Sequence, residues 1–158
     1  MTKLLLAEDN DFSRDILARR LARCGYAVIT ASNGPAALLA ARAHRPDVIL
    51  MDLDLPGMDG RSALRSLKND LRTFQIPVIA LAAEASVEEV TQAAAEGCHA
   101  CEAKPLVLRR LRRRIADLLA GRAGHAGSHA GSIVSSTPAA IKPNRSSSAL
   151  GSGSRPMN

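Results

Sequence analysis

The chain of 158 residues has no tryptophan and three aromatic residues, Phe12, Tyr26 and Phe74, all in its first half. A core without large rings must rest on Leu, Ile, Val and Ala, which favours many small aliphatic strands and helices over an aromatic-anchored sandwich. No apolar run approaches the roughly 18 residues needed to cross a bilayer, so membrane insertion is excluded. The opening Met1-Thr2-Lys3-Leu4-Leu5-Leu6-Ala7 is cut off by Glu8 and Asp9 before it reaches the length of a secretory apolar core. The expectation is a soluble cytoplasmic protein. Cysteine is also scarce, and an odd three without a secretion signal read as reduced thiols rather than a disulfide framework. Cys98-His99-Ala100-Cys101 is a C-x-x-C, but no second pair completes a zinc site and no thioredoxin-like helix start follows. It reads as small residues flanking and entering a buried strand.

Acid is absent from one part of the chain. All 15 Asp and Glu lie within residues 1–121 beside 17 Lys and Arg, a net of +2, whereas residues 122–158 carry four basic residues and no acid. The overall +6 is therefore a property of one arginine-rich segment and a tail. That tail holds nine Ser, six Ala, five Gly, three Pro and no aromatic residue. It lacks the apolar surface to offset its ordering entropy, and residues 122–158 are expected to be a flexible, weakly basic, disordered extension of a domain spanning 1–121.

Within 1–121, short aliphatic runs alternate with segments of helical period, the pattern of repeated βα units around a parallel sheet. Strands are expected at Lys3–Ala7, Ala27–Thr30, Val48–Met51, Val78–Leu81 and Ala100–Ala103. Their continuous apolar character says that helices cover both sheet faces. Helices are expected at Phe12–Cys24, Pro35–Ala43, Gly60–Lys68, Val87–Ala95 and Leu106–Ala120, with Gly25 and Gly97 just past helix ends. The fold class is α/β, five parallel strands doubly wound by five helices.

In such a sheet, ligands bind beyond the carboxyl ends of the strands, where the strand order reverses. Glu8, Asp9 and Asp11 follow the first strand, Asp52 and Asp54 the third, and Lys104-Pro105 the fifth. With the first and third strands as neighbours, Glu8, Asp9 and Asp52 converge, and three adjacent carboxylates cannot all ionise without a cation. A hard divalent ion such as Mg²⁺, which takes carboxylates, waters and phosphate oxygens, is the natural partner. Acids after strands often only cap the next helix, and Asp11 and Asp59 are read that way. Asp52 is not, because Pro56-Gly57-Met58-Asp59-Gly60 separates it from its helix.

Together, Leu5-Leu6-Ala7-Glu8-Asp9-Asn10, Met51-Asp52-Leu53-Asp54-Leu55-Pro56-Gly57-Met58-Asp59-Gly60, Pro77-Val78-Ile79-Ala80-Leu81 and Lys104-Pro105 stand in the order and spacing of a known family. Over about 120 residues the chain resembles the receiver domain of two-component response regulators, the CheY-like family. The resemblance implies a flavodoxin-like sheet with strand order 2-1-3-4-5. It also implies Asp52 as the acceptor of a phosphoryl group from a histidine kinase or histidine phosphotransfer protein. Mg²⁺ would be held by Glu8, Asp9 and Asp52 with the backbone carbonyl of Asp54. Lys104, aimed by a cis bond before Pro105, would pair with phosphoryl oxygens. No enzymatic activity beyond Mg-dependent self-phosphorylation and autodephosphorylation is implied.

The chain departs from the family at two positions. Ala82 stands where a Ser or Thr hydroxyl usually meets the phosphoryl group, and Cys101 replaces the aromatic residue that usually turns inward with it. An atypical switch is therefore expected. The arginines of the last helix, Arg109, Arg110, Arg112, Arg113 and Arg114, read either as a solvated face or as a docking face for an acidic downstream protein through helix 106–120. Nucleic acid is not expected, for want of a recognition motif. By family analogy, Arg14, Arg19, Arg20 and Arg23 face the phosphodonor.

Two alternatives accompany a stand-alone receiver. One is the C-terminal receiver of a hybrid histidine kinase, against which the initiator-like Met1-Thr2-Lys3 weighs. The other is a haloacid-dehalogenase-like phosphatase, suggested by the D-x-D of Asp52-Leu53-Asp54, although that family carries its pair on the first strand.

Overall fold

Two periods in the sequence, alternation along short apolar runs and helical spacing between them, decide which side chains face which layer. A computed structural model describes residues 1–123. Five strands, β1 (Lys3–Ala7), β2 (Ala27–Ala31), β3 (Val48–Asp52), β4 (Val78–Ala82) and β5 (Ala100–Ala103), alternate with five helices. The helices are α1 (Asp11–Arg23), α2 (Gly34–His44), α3 (Gly60–Lys68), α4 (Val87–Ala95) and α5 (Leu108–Ala123). The strands are all parallel in the order β2-β1-β3-β4-β5, so the order reverses between β1 and β3.

Successive side chains of a strand point to opposite faces, and the two cores follow from that alternation. Leu5, Ile49, Met51, Val78 and Ala80 pack with Ala37, Leu38, Ala63, Leu64 and Leu67, placing α2 and α3 on one face with Ala93 of α4. Leu4, Leu6, Val48, Leu50, Ile79 and Leu81 pack with Leu21 of α1 and Leu111 and Ile115 of α5 on the other. Both faces are thus dry, as the unbroken apolar runs require. Truncating one of these fully buried leucines to alanine costs about 2–5 kcal/mol.

The helices begin where short polar side chains satisfy free backbone donors. Asn33 accepts from the Ala36 N–H, Asp59 from the Ser62 N–H and Ser86 from the Glu89 N–H. For α1 the cap is Asn10, which accepts from the Ser13 N–H, and the expectation that Asp11 caps it is corrected: Asp11 is the first helical residue. The amide of Asn10 serves as the acceptor and leaves the Asp11 carboxylate in the first turn, where the helix dipole favours it.

The bounds of β2, β3, β4, α1 and α2 move by one residue from the sequence reading, Asp52 becoming the last residue of β3, and α5 starts at Leu108 and runs to Ala123 rather than from Leu106 to Ala120. Past the expected end, Arg122 donates to the Asp47 carbonyl at 3.1 Å and ties the helix to the loop before β3. The remainder of the expected tail lies outside the described residues. Among those described, no helix is long and apolar enough to cross a membrane.

Candidate functional site

The carboxyl ends of β1, β3 and β5 deliver the ionisable groups of the site. β1 ends at Ala7 and is followed by Glu8 and Asp9; β3 ends on Asp52; β5 is followed by Lys104. Because β1 and β3 are neighbours, paired through Ala7 and Met51, one carboxylate oxygen from each of Glu8, Asp9 and Asp52 falls within 4.8 Å of the others. Lys104 reaches past the end of β4 and places Nζ 2.5 Å from Asp52 Oδ2 and 3.1 Å from Glu8 Oε2. Asp52 is 1% exposed and Glu8 6%, while Asp9 and Asp54 face solvent.

The loop after β3 is built from short-range contacts. Asp52 Oδ1 accepts the Asp54 N–H at 2.8 Å, and the Gly60 N–H donates to the Leu53 carbonyl at 3.1 Å. Gly60 carries no side chain because there is no room for one. A Cβ there would sit 2.2 Å from the Asp52 carbonyl oxygen and 2.5 Å from Leu53 Cα, so the start of α3 is pressed onto the backbone of Asp52. On the other side, the Lys104 N–H donates to the Ala82 carbonyl at 2.8 Å, and the Lys104–Pro105 bond is cis.

Crowding sets the protonation pattern. Burial, then the neighbouring Asp52, push the Glu8 carboxyl up to about 7 against the opposing pull of Lys104. Burial acts the same way on Asp52 but is outweighed by hydrogen bonds from Glu8, Lys104 and the Asp54 N–H, which hold it below the usual range. For Lys104, burial would lower the ammonium, and hydrogen bonds to Asp52 and Glu8 raise it instead. Fully ionised, three carboxylates and one ammonium leave two negative charges among hard oxygen donors. That set fits a divalent cation of the Mg²⁺ type.

The surroundings hold groups not anticipated from the sequence. Arg14, read as a partner-facing cation, instead folds back, its Nη1 2.9 Å from the Glu8 carbonyl and Nη2 2.5 Å from Asp11. On the α1 side, a recess of about 380 Å³ is lined by Glu8, Lys104, Phe12, Ile16, Leu17 and Leu106. Phe12 is 75% exposed at its mouth. On the α4 side, a cleft of about 300 Å³ is walled by Leu53, Asp54, Asp59, Arg61, Ala82 and Glu89. Ala82 is buried at the end of β4, and Cys101 of β5 is partly buried against the same core. Of the arginine run, Arg110 and Arg114 are not free for a partner. They donate at 2.9 and 2.8 Å to the two oxygens of Glu102, which is 3% exposed, and only the arrangement in space makes that visible.

Comparisons with known proteins agree with this geometry. The model of the response regulator receiver domain family matches residues 4–116. The polar-differentiation response regulator DivK of Brucella anthropi is 35% identical over 116 residues, covering 73% of this chain and 94% of that relative. Among solved structures, the chemotaxis protein CheY4 of Vibrio cholerae superposes with a TM-score of 0.72 at 28% identity, covering 75% of this chain and 99% of that one. The receiver domain of a Pseudomonas aeruginosa sensor histidine kinase, solved with a magnesium ion coordinated in its active-site cleft, gives 0.70 at 31% identity, with 75% and 98% covered.

Proposed function

Since the chain belongs to the response regulator receiver family, we propose that it is the phosphoacceptor of a two-component phosphorelay, with Asp52 taking a phosphoryl group from a histidine kinase or histidine phosphotransfer protein. The observation that carries this reading is the convergence of three carboxylates and one ammonium, with Lys104 Nζ bridging Asp52 and Glu8.

The chemistry asks little of the protein beyond alignment and charge balance, because phosphoryl transfer passes through a loose transition state. An Asp52 carboxylate oxygen attacks phosphorus, the P–N bond to the donor imidazole breaks, and an acyl phosphate forms on Asp52. Asp52 is suited to attack because it is held ionised by its hydrogen bonds. Lys104, a point charge on a flexible stem, transfers its pairing from the bare carboxylate to phosphoryl oxygens. Glu8, Asp9 and Asp52, with the Asp54 carbonyl, are the groups that would hold Mg²⁺. A bound Mg²⁺ supplies neutralising positive charge to the phosphoryl oxygens. Glu8 would hold the ion as its carboxylate.

The recess beside Glu8 and Lys104, with Phe12 at its mouth, supports docking of the phosphodonor along α1. Output is assigned to protein contacts, with Arg109, Arg112 and Arg113 as the α5 cations available to a downstream partner. The switch is read as atypical because Ala82 offers no hydroxyl and Cys101 no ring. Phosphotransfer from a panel of histidine kinases, run in Mg²⁺ and in chelator, tests the proposal. Labelling that requires Mg²⁺ and vanishes in Asp52→Asn is expected. Label that persists in Asp52→Asn overturns it.

A further inference from the structure

Ala82 offers no hydroxyl to the α4 side of Asp52, and one cation lines the cleft there. Of the residues that wall the cleft beside Asp52, three are acids, Asp54, Asp59 and Glu89, and one, Arg61, is basic. Oε2 of Glu89 is buried without a hydrogen-bond partner. A phosphoryl group added at Asp52 brings negative charge, and a guanidinium is the side chain that matches its oxygens best, through two parallel donors.

Arg61 is placed for that role by the backbone. Gly60, the preceding residue, is packed against the Asp52 carbonyl and Leu53 Cα, closer than any side chain allows. The side chain of Arg61 is committed elsewhere, with Nη1 donating to Gln92 Oε1 on α4. One turn along, Arg65 pairs at 3.7 Å with Glu96, the residue that caps the C-terminal end of α4. Arg61 and Arg65, four residues apart on α3, thus grip Gln92 on α4 and Glu96 at its end. These contacts tie α3 to α4 through polar side chains. The Gln92 link is neutral at its acceptor and exposed, so an anionic competitor nearby displaces it readily.

We propose that Arg61 is the phosphoryl-sensing residue of this receiver, leaving Gln92 to pair with phosphoryl oxygens on Asp52 and thereby loosening α4 from α3. The inference rests on the phosphoacceptor reading above. It assigns to a cation on α3 the work that a hydroxyl on β4 does elsewhere in the family.

Beryllofluoride with Mg²⁺, added to the full chain and followed through backbone amide NMR shifts, separates the two claims. In the unsubstituted protein, shifts are expected around Asp52 and along Val87–Ala95, and both must disappear in Asp52→Asn. If neither set responds in the unsubstituted protein, the phosphoacceptor reading itself falls. In Arg61→Gln, which keeps a donor of similar shape without the charge, the Asp52 shifts persist, the α4 shifts are lost, and beryllofluoride binds on the order of tenfold more weakly. In Gln92→Ala, where Arg61 is released beforehand, beryllofluoride binds a few-fold more tightly. A purely structural link would make both substitutions act in the same direction. Full α4 shifts in Arg61→Gln, or weaker binding in Gln92→Ala, overturn the inference. Spectra of both variants before addition verify that each retains the fold.

Discussion

Lys104 Nζ lies 2.5 Å from Asp52 Oδ2 although the whole of β4 separates the strands that carry the two residues. The same ammonium reaches Glu8, so two buried carboxyls share one cation. Removing Lys104 leaves both without it. Lys104→Met is expected to lower the unfolding free energy near neutral pH by about 1–3 kcal/mol, a figure reduced from that of a fully buried pair because the lysine is partly exposed. Adding Asp52→Asn removes one of the stranded charges and should restore most of that loss. Urea unfolding of the three proteins checks this, and an equal deficit in the double variant would count against it.

The contact of Gly60 with the acceptor backbone makes a second prediction. A methyl group there meets the Asp52 carbonyl and Leu53 Cα, atoms that cannot rotate away. Gly60→Ala should cost about 1–3 kcal/mol through overpacking and slow phosphotransfer to Asp52. Gly121, where an added Cβ meets nothing within 4 Å, is the control. Gly121→Ala is expected to gain up to about 1 kcal/mol from helix propensity alone.

Ala82, though buried, is one of the residues that wall the cleft on the α4 side. Ala82→Thr brings a hydroxyl to that wall, and it should change the lifetime of the acyl phosphate by several-fold. Decay of radiolabelled protein measures it, and a lifetime identical to that of the unsubstituted protein would sink the claim that the missing hydroxyl at position 82 makes the switch atypical.

His99 supplies a pH test away from the site. Its Nδ1 accepts the Val78 N–H at 3.3 Å, and burial lowers its pKa to about 4. A protonated ring cannot accept that bond. The unfolded chain protonates the same ring near 6.5, so between those values the unfolded state binds more protons, and stability falls as pH drops from about 6.5 to about 4. Part of the residue stays in contact with water, which limits the effect to about 1 kcal/mol. The advantage of the unsubstituted protein over His99→Asn should shrink by that amount from pH 7 to pH 4.5 in thermal or urea unfolding. A pH-independent difference would argue otherwise.

The layered fold was legible because its signals are local. Three of five strands end within one residue of the expected bounds and the other two coincide, since unbroken runs such as Val48-Ile49-Leu50-Met51 suit only a doubly covered sheet. The acidic residues at β1 and β3 were legible for a similar reason: strand ends are the places a parallel sheet offers to ligands. What was hidden depends on long-range pairing. Nothing in the spacing of Arg61 and Gln92, or of Arg14 and the Glu8 carbonyl, distinguishes them from solvated surface residues until helices are docked. The arginine run hides its own division of labour, because nothing in the short strand around Glu102 marks that residue as buried and paired.

That buried glutamate also bears on the edge of the sheet. Among the described residues β5 is a sheet edge, with a row of backbone groups that no further strand pairs. It is only four residues long, and Glu102 sets a carboxylate into its covered face, clasped from outside by Arg110 and Arg114. An incoming strand that continued the sheet would have to accommodate that ionic triad beside its own side chains. The triad thus guards an edge against strand addition and aggregation, using a short strand and an inward charge as its means.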